Sequence, residues 1–450
     1  MLDLPIIDLS LPEGSDRLAQ LRQKLSLDSL LLSAGAHPST PTTTVRMIID
    51  EVRRHGDAAV ARFAAQFDDA AITPFTLRVT PQAITAAVQG ANPKLIAALD
   101  AAIENVSRFQ AAMAGADPAP IAPLGSRAGS GARIGIRSLP LKRVGIYVPG
   151  GAGAYPSTLI MTAVPALTAG VKSICVCTPA KNGRVAPAVL VAASRLGINE
   201  IYAIGGAQAI AAMALGTATI GRVDKIVGPG NIYVQLAKKE LFGVVDIDSF
   251  AGPSEVIVLA DDSADARVVA AELLAQAEHA PGSCILLTAD PIFAGKVHAQ
   301  LAEQLALLPR RDLTQTALMH ASAIVITESH KAAVALANDF APEHLQISTR
   351  TAHDDAAAIT TAGAIFIGPY SPVAAGDYLA GPSHVLPTSG TGRFFSGLSA
   401  ESFRRRMSVV ELDRDSLAAF MEPLCTLARA EGFEGHAKSA EIRLAEVEKP

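Results

Sequence analysis

Two hydrophobic periodicities divide the chain. Over roughly the first 115 residues, apolar positions recur at helical spacing. "TTTVRMIIDEVRRHGDAAVARFAAQF" is an amphipathic stretch, and "TPQAITAAVQG" predicts a further helix with Thr80 as its N-cap. "ITPFTLRVT" predicts one short strand, and the Gly-, Pro- and Ala-rich stretch from Ala111 to Gly135 predicts a loop or boundary. From Arg143 short apolar runs alternate with helical stretches: "RVGIYVPGG", "SICVCTP", "EIYAIGG", "KIVGPGN", "EVIVLAD", "CILLTAD", "AIVITES", "HLQIST" and "GAIFIGP". That alternation predicts βαβ units and mostly parallel sheets, with too many strands for one sheet. After Tyr370 the chain becomes loop-rich and then ends in helices.

The fold class expected is therefore α/β: two Rossmann-like, doubly wound parallel-sheet domains and a small helical C-terminal extension. The division expected is an N-terminal arm (1–33), one domain from 34–142 with 255–395, a second from 143–254, and a tail from 396–450. In this reading the N-terminal helices pack on the later sheet. The tail is too small to hold a core of its own, so it docks on the body or on a second subunit.

Composition narrows the classes. The chain has 450 residues, half of them hydrophobic and 18% charged, enough to bury large cores and unlike a disordered chain. Its net charge of −5, with no basic run beyond Arg404–Arg406, argues against a nucleic-acid surface. There is no run of 18 apolar residues and no basic, apolar leader at the start, so neither a membrane span nor secretion is expected. Cys175 and Cys177 alternate along one predicted strand, and Cys284 sits in another. Buried reduced thiols and a cytoplasmic setting follow.

Candidate chemistry begins with an anomaly. Val269, Leu273 and Gln276 share one helical stripe, and His279 follows at i+3. A core-facing stripe that ends in an amide and an imidazole needs local hydrogen bonds or a ligand, because an unpaired buried polar group costs about 1–3 kcal/mol. Three glycine-rich turns follow predicted strands, at Pro149–Gly151, Gly205–Gly206 and Gly228–Gly230. Tyr147 lies before the first, and Gln208 and Asn231 just beyond the others. None is the usual dinucleotide fingerprint; each alone reads as an ordinary turn, and the polar neighbours favour a ligand. Ser254 precedes a strand. Glu343 and His344 open another, where such a pair is either a solvated strand end or a proton-transfer pair working near neutral pH. Gln276, His279, Asp377 and His436 together offer donors that suit zinc, but spacing alone leaves that open.

Taken together these stretches resemble the histidinol dehydrogenase family. The matching text is "VGIYVPGGAGAYPS", "GGAQAIAAMALGT", "VDKIVGPGNIYV", "DSFAGPSEVIVLAD", "LLAQAEHAPGS", "APEHLQI", "GAIFIGPYSPVAAGDYLAGPSHVLPT" and "GLSAESF", in order from about Arg143 to Phe403. With the helical N-terminal part and the Glu-x4-His tail, the resemblance spans nearly the whole chain. It implies NAD-dependent oxidation of L-histidinol to L-histidine through histidinaldehyde, with one zinc per site. It implies Gln276, His279, Asp377 and His436 as zinc ligands and Tyr147, Gln208 and Asn231 as NAD contacts. Substrate contacts would be Ser254, Gln276, His279, His344, Asp377, Glu431 and His436, with Glu343 and His344 as the acid–base pair. It also implies a homodimer in which Glu431 and His436 complete the other subunit's site. Asp69, Gln110 and Met407 depart from the family pattern, at positions outside this set. They leave room for a paralogue acting on another small alcohol, such as a sulfonated diol, or for a non-catalytic binding protein of the same fold.

Overall fold

The structure is a computed structural model that describes residues 4–27, 40–123, 131–150, 153–279 and 282–445. It has two compact units: Met1–Met113 with Leu141–Phe403, and Ala114–Pro140 with Arg404–Pro450.

Strand β1 (Ile6–Asp8) belongs to the larger unit and β2 (Arg133–Pro140) to the smaller. The larger unit continues with β3 (Arg143–Tyr147), β4 (Ser173–Thr178), β5 (Ile201–Ala203), β6 (Lys225–Val227) and β7 (Asp246–Ile247). It then adds β8 (Ser254–Ala260), β9 (Gly282–Thr288), β10 (Ala323–Ile326), β11 (His344–Ser348) and β12 (Ala364–Ile367). One parallel sheet runs β5-β4-β3-β6-β7, and a second runs β1-β10-β9-β8-β11-β12. The expected α/β architecture with two parallel sheets is present. Strand order reverses at β3/β6 in one sheet and, the edge strand β1 aside, at β8/β11 in the other, as doubly wound sheets do. The strands read as continuous apolar runs because helices cover both faces; β9 is buried at all seven residues.

The helices of residues 41–113 correct the expected division. They pack on the five-stranded sheet rather than the six-stranded one. Val45, Ile48, Val52, Val60, Phe63, Leu99 and Val106 join a core with Val144, Ile146 and Val227. The cause lies in helix Gly206–Leu215, whose alanines are buried on every side. With side chains that small, helices Pro41–His55, Asp57–Phe67 and Ile232–Leu241 all approach it closely. The N-terminal arm is not separate either. β1 extends the six-stranded sheet beside β10, and Ile7 and Leu21 enter that sheet's core.

Thr80 caps its helix as expected, its hydroxyl accepting the Ala83 N–H at 3.2 Å. The strand expected near Arg78 is only a single bridge to Tyr202. The loop expected from Ala111 to Gly135 ends inside β2, which pairs antiparallel with β13 (Arg404–Glu411) in the smaller unit. Helices Arg414–Ala430 and Glu434–Leu444 complete that unit, which starts at Arg404 rather than at residue 396 and includes residues 114–140. Its buried apolar cluster is Cys425, Ala428, Ala437 and Ala440, a very small core, as the tail's length led us to expect.

The departures from the family pattern have local partners. The Asp69 carboxylate accepts the Gly183 and Ala71 N–H groups. Gln110 is fully buried, its Oε1 accepting the Ala400 N–H at 2.9 Å. Met407 Sδ lies 3.2 Å from Arg405 Nη2.

Candidate active site

Two groups of residues gather in the larger unit, at opposite ends of the two sheets. The first is at the carboxyl ends of β3 and β6, neighbours at the point where strand order reverses. Crevices at such points hold ligands in doubly wound folds. Tyr147 ends β3, is buried, and its hydroxyl accepts the Gly206 N–H at 3.1 Å. Gln208 is buried too, and its Nε2 donates to Asp68 Oδ2 at 3.4 Å. Asp68 also accepts the Gly205 N–H, at 2.7 Å. Asn231 caps helix Ile232–Leu241, its Oδ1 accepting the Tyr233 and Val234 N–H groups. Tyr147 and, through Asp68, Gln208 therefore hold the Gly205–Gly206 turn after β5, and Asn231 caps the helix after β6. Of the Pro149–Gly151 turn, Gly151 lies outside the described residues.

Gly228, after β6, has φ +116°. A Cβ there would lie 2.1 Å from the Tyr147 carbonyl oxygen. Gly228→Ala combines a backbone conformation that L residues avoid with a clash against main chain. It is expected to cost about 2–5 kcal/mol, read as a lowered thermal midpoint. An unchanged midpoint would contradict this.

The second group lies at the amino ends of β8, β9 and β11. Ser254 and Glu255 open β8; His344 opens β11, with Glu343 immediately before it. Glu343 Oε2 accepts the Ser254 hydroxyl at 2.6 Å and the Glu255 N–H at 2.9 Å. Glu255 Oε1 in return accepts the Glu343 N–H at 3.3 Å, and the Ser389 N–H at 2.9 Å. His344 Nδ1 sits 3.0 Å from the Glu255 carbonyl oxygen, so it carries the proton and donates it there. The other nitrogen, Nε2, is then a bare acceptor. It is buried with no hydrogen-bond partner among the described residues, 3.8 Å from Asp377 Oδ1.

Burial decides the charges here. It pushes the Glu343 carboxyl up to about 7, against the hydrogen bonds from Ser254 and Glu255 that oppose it. It pushes Glu255 up to about 8, with the neighbouring Glu343 adding to the effect. Asp377 rises to about 6, again through burial, and His344 partly offsets this. His344 itself is held below the usual imidazole range by desolvation, so it is neutral at pH 7.

Gln276 lies on helix Ala266–Ala277, where it is buried beside Val269 and Leu273. Its Nε2 has no partner among the described residues. His279 is not on that helix: it falls in the turn beyond the Glu278 C-cap, exposed, with its N–H on the Gln276 carbonyl at 3.2 Å. The helical stripe thus ends at Gln276, and the chain turns to bring the imidazole alongside. Gly282 makes room for that turn, since a Cβ there would fall 2.8 Å from the Gln276 carbonyl oxygen. Asp377 is on the short helix Val373–Tyr378. That helix is anchored by Glu272, whose Oε1 accepts the Val373 N–H at 2.8 Å. The helix that carries Gln276 therefore also fixes Asp377.

Glu431 and His436 belong to the smaller unit. Both are exposed, Glu431 as the C-cap of the first helix and His436 in the first turn of the second, and the His436 ring stacks on Phe433 with centroids 5.0 Å apart. Among the described residues no three His, Cys, Asp or Glu side chains gather as a metal cluster. The donor set implied for zinc instead mixes an amide with residues of both units. The donor chemistry fits zinc, since Gln276 would offer its amide oxygen, His279 and His436 imidazole nitrogens and Asp377 a carboxylate, while Gln276 Nε2 is a donor that cannot ligate a metal and has no partner among the described residues.

Glu255, Glu272 and Asp68 escaped the reading of the sequence. Each is a carboxylate inside an apolar run ("SEVIVLA", "AAELLAQA", "AAQFDDA"), and that mismatch was the available signal.

The sequence profile of the histidinol dehydrogenase family matches residues 34–444. The histidinol dehydrogenase of Rhodopirellula baltica is 46% identical over 446 residues, covering 97% of this chain and 96% of the relative. That of Moorella thermoacetica is 46% identical over 404 residues, covering 89% of this chain and 93% of the relative. The crystal structure of histidinol dehydrogenase from Elizabethkingia anophelis superposes with a TM-score of 0.85 at 34% identity, covering 94% of this chain and 98% of that one.

Proposed function

The chain belongs to the histidinol dehydrogenase family, and from that premise we propose that it oxidises L-histidinol to L-histidine in two NAD-dependent steps through histidinaldehyde. The observation that carries the reading is the buried Nε2 of neutral His344, which has no hydrogen-bond partner among the described residues and lies 3.8 Å from Asp377 Oδ1, on a ring whose Nδ1 is 3.6 Å from Glu343 Oε2. An acceptor stripped of water and of protein partners is suited to a substrate proton.

When bound, zinc supplies a fixed point for the substrate's imidazole and amine, and NAD accepts the hydride of each step. Gln276, His279 and Asp377 would hold the metal, with His436 from a second copy. Tyr147, Gln208 and Asn231 would border the nucleotide. The chain's own groups manage the protons. His344 Nε2 takes the proton of the substrate alcohol. Its Nδ1–H stays on the Glu255 carbonyl and keeps the ring in place as positive charge develops. Glu343 then takes a proton from the water that adds to the aldehyde. The Ser254 hydroxyl and Glu255 N–H occupy only its Oε2, so Oε1 carries neither bond. Ser254, Glu431 and His436 would complete the substrate's surroundings. Burial of this group keeps a reactive aldehyde from bulk water between steps. No helix among the described residues is long and apolar enough to cross a membrane, and all four cysteines are buried and free, which supports a cytoplasmic setting.

The direct test counts NADH formed per L-histidinol consumed by the purified protein, before and after chelation. Two NADH per substrate, lost on chelation and regained with zinc, are expected. A folded, zinc-loaded protein that makes no NADH from histidinol but does so from another small alcohol would replace the substrate assigned.

The smaller unit's slight core, with Glu431 and His436 exposed, supports a homodimer whose active sites are shared. Inactive His279→Ala and His436→Ala subunits, mixed under conditions that exchange subunits, are expected to regain activity. In a shared arrangement one site of the mixed dimer is intact. No recovery after confirmed exchange would mean that each site draws on one chain.

A further inference from the structure

A buried polar brace lies behind the Gly228–Asn231 turn, and the reactions above make no use of it. Helix Ile232–Leu241 turns Gln235 and Lys238, three residues apart, into the interior at 2% and 1% exposure. Lys238 Nζ donates to the Gly228 carbonyl oxygen at 3.1 Å and pairs with the Asp248 carboxylate. Asp248 Oδ2 accepts the Gly228 N–H at 2.7 Å, and its Oδ1 accepts the Ser249 N–H at 2.8 Å. One ion pair thus holds both main-chain polar groups of Gly228. Gln235 repeats the pattern one step along the turn. Its Nε2 donates to the Gly230 carbonyl oxygen at 3.4 Å, and its Oε1 accepts the Ala251 N–H at 3.0 Å.

An ion pair this deeply buried is a poor source of stability, since apolar side chains of similar size often serve as well. What it supplies here is geometry. It fixes a glycine whose φ of +116° brings it against the Tyr147 carbonyl. It also ties the turn to residues 248–251, the crossover from one sheet to the other. Three residues beyond that crossover, Ser254 holds Glu343.

We propose that Lys238, Asp248 and Gln235 are positioning residues for the dinucleotide: they hold the Gly228–Asn231 turn in its binding shape. The proposal rests on the NAD-dependent reading of the site. None of the three acts on a proton or an electron, and each works through main-chain groups of the turn.

The test uses the full-length, zinc-loaded enzyme. Lys238→Met alone strands the Asp248 charge in the interior and is prone to misfold. Lys238→Met/Asp248→Asn removes both charges and keeps a neutral acceptor for the Gly228 N–H. Calorimetric titration with NAD is paired with steady-state kinetics. In the double variant the NAD dissociation constant and KM are expected to rise about 10–100-fold, the range that supporting groups behind a binding site command. Zinc content, KM for histidinol and kcat at saturating NAD should each change by less than about threefold. Gln235→Leu should move the same constants in the same direction by less, since it releases one end of the turn. A folded double variant that binds NAD as the wild type does would overturn the inference and leave the functional reading standing. Parallel loss of NAD, histidinol and zinc binding would overturn it as well, because that pattern marks general disorder of the fold. A wild-type protein that binds no NAD would remove the functional reading, and this inference with it.

Discussion

Replacing Glu343 with glutamine is expected to slow oxidation of the aldehyde by on the order of 10²–10⁴-fold, the contribution typical of a well-placed general base. The amide has the carboxylate's shape and keeps an oxygen for the Ser254 hydroxyl and Glu255 N–H, now 2.6 Å and 2.9 Å from Oε2. What it lacks is proton affinity. The alcohol step does not need that affinity, so the variant should release a rapid first NADH from histidinol and then stall. Stopped-flow absorbance separates the two phases. The pH dependence follows from burial, which pushes this carboxyl up to about 7. The base form is lost as the pH falls through that value, so the wild-type aldehyde step should have an acid limb near pH 7. In Glu343→Gln the residual rate should show no such limb. Equal slowing of both steps would remove Glu343 from the role given to it.

His344→Asn is expected to remove the first step instead, with alcohol oxidation slowed by on the order of 10²–10⁴-fold. Asparagine can still donate to the Glu255 carbonyl, as Nδ1 does at 3.0 Å, so the start of β11 should stay in register with β8. It offers no acceptor where Nε2 now stands. Since Nε2 has no partner to lose, thermal stability should change little, and zinc content should be retained. With histidinaldehyde supplied directly, the variant should keep a larger share of its rate than it does with histidinol. Wild-type alcohol oxidation in a folded His344→Asn protein would rule out this proton path.

Much of the site was legible because its signals are local. Gln276 on an otherwise apolar stripe, and a glutamate–histidine pair at the start of an apolar run, violate their own periodicity wherever the chain goes. The glycine-rich turns announced positions where backbone must come close, and Gly228 meets the Tyr147 carbonyl as such a glycine should. The residues that support the site were less visible. Glu255, Glu272, Lys238 and Asp248 act through main-chain groups distant in sequence, such as Ser389 for Glu255 and Val373 for Glu272. No periodicity within their own segments encodes those partners. His279 was misplaced on the helix for a related reason. Helical spacing does not register where a helix stops, and the stop signal here, Pro281 and Gly282, comes only after His279, three and four residues beyond the Glu278 C-cap.

By itself the sequence determined the alternation of strands and helices, the parallel character of both sheets and the residue types available for proton transfer. These follow from period, propensity and turn chemistry, which act over a few residues. Only the tertiary structure decided which sheet the N-terminal helices cover. That choice rests on how closely helices approach the small side chains of Gly206–Leu215, a matter of shape between segments over 100 residues apart. Only the tertiary structure, too, raised Glu343 into the neutral range and left His344 Nε2 bare. A proton affinity is set by the water excluded around a group, and that depends on every segment packed against it.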